Sequence, residues 1–165
     1  MAIILPDASW GEPIASWDYS TDVTSVDFTD LGGYRDLFLF FYGVTNDTGT
    51  TAALIMRLST DNGATFISAG SSYANVGSVL TTSLPMSAAV ASATTLMGEA
   101  DIHDLNAAAN RTKTSNRAGT SGSGTVGTTR IGLRNTAERN DAIRLLWSGG
   151  ENFTAGSIRL YGRRG

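Results

Sequence analysis

Residues 36–44 read "DLFLFFYGV", the longest apolar run in the chain. On a strand, Leu37, Leu39 and Phe41 leave one side, and Phe38, Phe40 and Tyr42 leave the other. The run is too short for a membrane span and too aromatic for a surface helix, and "LGGY" (31–34) and "NDTGT" (46–50) bound it with turn residues. It predicts a strand covered on both faces.

The segments around it have the same texture. "IASWDYS" (14–20) and "TSVDFTD" (24–30) precede it, and "AALIMRLS" (52–59) follows with Leu54, Met56 and Leu58 alternating against Ala53, Ile55 and Arg57. "FISAGSSY" (66–73) reads as a further strand. "TTLMGEADIHDL" (94–105) places Leu96, Gly98, Ala100 and Ile102 inward and Met97, Glu99, Asp101 and His103 outward. "TRIGLR" (129–134), "AIRLLWS" (142–148) and "SIRLYG" (157–162) complete the set. Residues 74–93 suggest a short strand, a loop and one helical turn around Pro85, and residues 110–129 read as a polar loop. The prediction is all-β: an antiparallel two-sheet β-sandwich, jelly-roll-like, with about eight to ten strands. Residues 1–13, with Pro6 and Pro13, read as an extended N-terminal arm on a domain spanning 14–165.

Ser59 to Phe66, "STDNGATF", matches the Asp box, Ser-x-Asp-x-Gly-x-Thr-aromatic, which recurs once per blade in sialidase propellers. A propeller needs several blades of about 40–50 residues, whereas this chain has 165 residues and one copy of the motif. The motif is therefore expected to act as a hairpin device. Asp61 accepts backbone N–H groups, Gly63 tolerates positive φ, Thr65 closes the loop, and Phe66 returns an apolar anchor to the core.

There is no cysteine and a single histidine, so a thiolate metal site is excluded and a nucleophilic triad has little to draw on. No phosphate-binding glycine loop is present, and no cofactor is expected. Glu99, Asp101 and His103 leave one face of a strand about 7 Å apart, which makes them a weak metal candidate against a plain solvated face. Trp147 is in phase with Ile143 and Leu145, as a core residue would be, whereas Tyr34 and Tyr73 lie near turns and are expected to be exposed. Residues 1–66 hold nine acids and two arginines; residues 111–165 hold ten bases and three acids. That polarity suits oriented assembly better than nucleic acid. "MAIIL" lacks a basic n-region, so no signal peptide and no membrane contact are expected, and synthesis would be in a host cytoplasm.

The closing stretch "AIRLLWSGGENFTAGSIRLYGRR" resembles the final hairpin of small β-sandwich proteins among tailed-bacteriophage structural genes. Ile143, Arg144 and Leu145, then Asn152, Phe153 and Gly156, then Ile158, Arg159, Leu160, Tyr161 and Gly162 carry the likeness. "YRDLFLFFYGV" and "LIMRLSTDNGATF" are similar to the same group. The resemblance implies a virion component, either capsid decoration or tail and fibre, located on the particle and without catalysis. Its partners would be copies of itself, a trimer first, and other virion proteins. The alternative is a carbohydrate-binding or receptor-binding module that recognises host glycans through exposed aromatics. Candidate interface residues are Trp10, Phe38, Phe40, Tyr42 and Ile55, because an apolar second face without helices to cover it marks an interaction site unless residues 74–93 fold over it.

Overall fold

Alternation in these runs sends one residue in two toward a common interior, and two sheets close over it. The computed structural model describes residues 11–47, 51–75, 80–92, 94–121 and 127–165. Trp10 and most of the predicted arm lie outside the described residues. Twelve strands and no helix occur among them: β1 (Ala15–Asp18), β2 (Ser25–Phe28), β3 (Asp36–Asn46), β4 (Ala52–Ser59), β5 (Tyr73–Asn75), β6 (Leu80–Thr81), β7 (Leu84–Val90), β8 (Thr95–His103), β9 (Lys113–Ser121), β10 (Thr128–Arg134), β11 (Ala142–Trp147) and β12 (Phe153–Arg163).

The large sheet runs β1-β12-β3-β8-β9-β10-β5-β6 and the small sheet β2-β11-β4-β7, and all neighbouring strands among the described residues pair antiparallel. If β5, β6, β9 and β10 are set aside, the chain changes sheet at every step except from β4 to β7, which pair within the small sheet. Four strands, β1-β12-β3-β8, then face four, β2-β11-β4-β7. That is the jelly roll. The remaining four strands extend the large sheet past β8.

Leu37, Leu39 and Phe41 are fully buried against Leu54, Met56, Leu58, Leu145 and Trp147 of the small sheet. Trp17 and Trp147 each bring a ring 5.6 Å from that of Phe153. Gly98 leaves room for this packing, since a Cβ there would stand 2.6 Å from Phe41 Cζ and 2.4 Å from the Arg117 carbonyl.

Several expectations fail for physical reasons. Residues 113–121 are not part of a loop: Lys113–Ser121 form β9, with Thr114, Asn116 and Ala118 buried, Thr112 buried just before it, and Lys113, Ser115 and Arg117 exposed. The alternation is present, but its inward members are polar. Asn116 donates to the Pro85 carbonyl and accepts the Arg130 N–H, which removes most of the cost of burying it. Residues 66–72 form no strand; they cross from the small sheet to the large one. Residues 84–90 form β7 rather than a helical turn. The closing stretch is not a hairpin, because β11 and β12 lie in opposite sheets.

Candidate functional site

The Asp box closes a turn at the end of β4. Fully buried Ser59 accepts the N–H groups of Asp61 (3.1 Å) and Gly63 (2.9 Å) on its hydroxyl and donates to Asp61 Oδ1 at 2.6 Å. Asp61 also accepts the Thr65 N–H (2.8 Å) and the Thr65 hydroxyl (2.6 Å). The Ser59 hydroxyl, followed by the two Thr65 donors, holds the Asp61 carboxyl down at about 2. Gly63 has φ of +86°, which its missing Cβ permits. Asn62, at φ +54°, donates its N–H to Asp141 and exchanges two hydrogen bonds with Asp30, tying the loops at this end together. All of the motif's polar groups are spent on architecture.

The chain does fold back here, with the Ile67 N–H on the Leu58 carbonyl at 2.9 Å, but β4 and β5 do not pair as a hairpin. Phe66 is not a core anchor. It is half-buried, and its ring lies 4.1 Å from the Arg144 guanidinium, which Asp27 holds by two hydrogen bonds. The core contact falls to Ile67 instead. Tyr73 is not exposed either. Fully buried, it accepts the Leu58 N–H at 2.9 Å and donates to the Ile67 carbonyl at 3.1 Å, locking the turn from beneath. A tyrosine beside a turn signal has two uses, and sequence position does not separate them.

Glu99, Asp101 and His103 share the outer face of β8, as expected, but they do not converge on a cation. Glu99 stands 3.6 Å from Arg117 on β9, and His103 Nδ1 stands 3.6 Å from Asp36 on β3. Among the described residues, no group of three such side chains is placed to hold a metal. Burial pushes the Asp36 carboxyl up, but the hydrogen bonds from Arg163 and the Asp104 N–H, with the charges of Arg163 and His103, outweigh it and leave it lowered.

The outer face of the large sheet is the exposed apolar surface. Phe40 is 40% exposed, Tyr42 57% and Ile131 52%, and all three stand on this face. Only Tyr19 joins them as an exposed large apolar residue among those described. Phe38 is half-buried against Tyr161, with ring centroids 6.1 Å apart. The double covering expected for β3 is thus absent within the described chain, and residues 84–90 lie in the small sheet rather than over this face. Ile55 is half-buried on the outer side of the small sheet, so it shares no surface with Phe40 and Tyr42.

Register lays this face out in rows. Arg159, Phe40, Glu99, Arg117 and Thr129 are opposed in turn across β12, β3, β8, β9 and β10. Tyr161, Phe38, Asp101, Ser115 and Ile131 form the next row. A groove of about 580 Å³ runs between the aromatics of β3 and the start of β10, with Met97, Glu99, Arg117 and Gly119 between. The two charges that cross it already neutralise each other.

No family model, curated protein or solved structure matches the chain.

Proposed function

We propose that this chain is a non-enzymatic structural protein of a phage-like particle, a capsid decoration or a tail and fibre component, acting through self-association and docking on the virion. The observation that carries the reading is the concentration of Phe40, Tyr42 and Ile131 on one open face of the large sheet. Exposed apolar residues gathered on one face mark an interaction site. The jelly-roll order and the phage-like closing residues agree with it. The Asp box, whose polar groups serve the turn, leaves that motif no share in chemistry.

The test is sedimentation and light scattering on wild type and on Phe40→Ser/Tyr42→Ser. Wild type is expected to be oligomeric and the double variant monomeric with its melting temperature retained. A wild type that stays monomeric at about 100 µM and above refutes the reading. Residues 1–13 complete the proposal as an arm reaching a neighbour, so deleting residues 1–12 should leave a folded domain that assembles poorly.

The groove beside Phe40 and Tyr42 favours a second reading, a module that recognises host surface glycans. Aromatic faces flanked by a carboxylate and a guanidinium suit a sugar ring. Saturable binding of a saccharide by wild type, lost in Phe40→Ser/Tyr42→Ser, would choose it.

A further inference from the structure

The outer face of the large sheet is patterned by strand. Aromatics stand on β3 (Phe38, Phe40, Tyr42), acids on β8 (Glu99, Asp101), bases on β9 (Lys113, Arg117), and aliphatics on β10 (Ile131, Leu133). Read from one side the order is aromatic, acidic, basic, aliphatic. Turned over about an axis along the strands between β8 and β9, the order meets its complement. Acidic β8 lies on the second copy's basic β9, and aromatic β3 lies on its aliphatic β10.

The rows agree with the columns at the centre, while Asp101 falls over Ser115 and His103 over Lys113, so the charge pairing across the axis rests on Glu99 and Arg117. The Glu99–Arg117 register places Glu99 over the second copy's Arg117, and the reverse. Phe40 falls over Thr129 and Phe38 over Ile131, because each pair belongs to one row. Tyr42 falls toward the glycine floor of the groove, where Gly119 and Gly127 have no side chain to obstruct it.

We propose that two copies of this chain associate face to face through the outer surface of the large sheet, about a twofold axis running along the strands between β8 and β9. The inference rests on the reading of this face as the self-association surface and adds the partner and its orientation. Such an interface is isologous, each patch meeting itself, whereas a trimer requires two different patches. Four strands, β3, β8, β9 and β10, at about 4.8 Å spacing by about six residues at 3.4 Å, with β12 meeting the three-residue β5 at each rim, give roughly 500 Å² per copy. The pair therefore buries about 1,000 Å², at the lower end of specific interfaces. Dissociation constants on the order of 10–100 µM are expected.

Charge reversal tests the axis. Glu99→Arg gives a chain with arginine at both central positions, and Arg117→Glu gives a chain with glutamate at both. Each alone should weaken self-association at least about tenfold, since like charges then face each other across the axis. Mixed in equal amounts, the two should form a heterodimer of twice the 17.3 kDa chain mass, because every crossing is now opposite in sign. Within each chain, repulsion is the same before and after mixing, so restored association reports the interface alone.

The lack of native cysteine permits a second measurement that does not depend on the charge variants folding. In Phe40→Cys/Thr129→Cys the two positions are three strand spacings apart in one chain, about 14 Å, too far for an internal disulfide. Oxidation should give a covalent dimer. Absence of that dimer, or a mixture that stays monomeric while wild type associates, overturns the twofold arrangement. If Phe40→Ser/Tyr42→Ser still dissociates the protein, self-association through this face survives that result. A wild type that is monomeric at 100 µM and above, with or without bound saccharide, overturns both.

Discussion

Tyr73→Phe removes one oxygen and keeps the ring. The ring stays packed in the core, 5.4 Å from the Arg134 guanidinium, so apolar burial is unchanged. The lost hydroxyl leaves the Leu58 N–H buried in a fully buried residue with its acceptor gone, while the Ile67 carbonyl lies on a half-buried residue nearer to water. A buried donor without a partner costs about 1–3 kcal/mol, and one such loss places the variant near 2 kcal/mol. For a domain of this size each kcal/mol moves the melting temperature by about 2–4 °C, so a fall of about 4–8 °C is expected. Denaturant melts and calorimetry read it, with Tyr19→Phe as the control, since Tyr19 is exposed and its hydroxyl donates to exposed Asp22. Burial raises the Tyr73 phenol, so its stabilising contribution is complete below the unfolded value of about 10 and lost as pH rises above it. The alkaline limb of wild type should therefore begin earlier than that of Tyr73→Phe. An unchanged midpoint with an unchanged slope would refute the claim that this hydroxyl locks the turn.

Ser59→Ala orphans the N–H groups of Asp61 and Gly63 together and should cost about 1–3 kcal/mol by chemical denaturation. Asp61, lowered to about 2, stabilises the fold above the unfolded carboxylate value and loses that contribution as pH falls from about 5 toward 2. Asp61→Asn should accordingly flatten the acid limb of stability against pH, read as melting temperature between those values. Gly98→Ala drives a methyl into the Arg117 carbonyl and Phe41 and should cost about 1–3 kcal/mol, seen as a lower midpoint with the far-ultraviolet spectrum retained.

The jelly-roll frame was legible where one residue in two along a strand was apolar and turned inward. Leu37, Leu39 and Phe41, and likewise Leu54, Met56 and Leu58, announce both their strands and the side that is buried. β9 was illegible because its inward residues Thr114 and Asn116, with Thr112 just before it, are polar, and no hydropathy pattern distinguishes them from a loop; hydrogen bonds make Thr112 and Asn116 compatible with burial. The outward phase of Phe40 and Tyr42 could be read from the sequence, but the acidic and basic columns beside them could not. Those depend on β8 meeting β9 with Glu99 opposite Arg117. The burial of Tyr73 depended likewise on residues 66–72 crossing to the other sheet.

The strand order also governs how the chain comes to be folded. β12 sits between β1 and β3, and β11 sits between β2 and β4, so an inner strand of each sheet is contributed by the latest residues of the sandwich. Until about residue 163 has emerged, β1 lacks its one partner and β3 lacks one of its two. Contacts so distant in sequence close slowly, and open strand edges are prone to pair with other chains while they wait. A nascent chain stalled before residue 142 would thus leave β1 and β2 without partners and one edge each of β3 and β4 open.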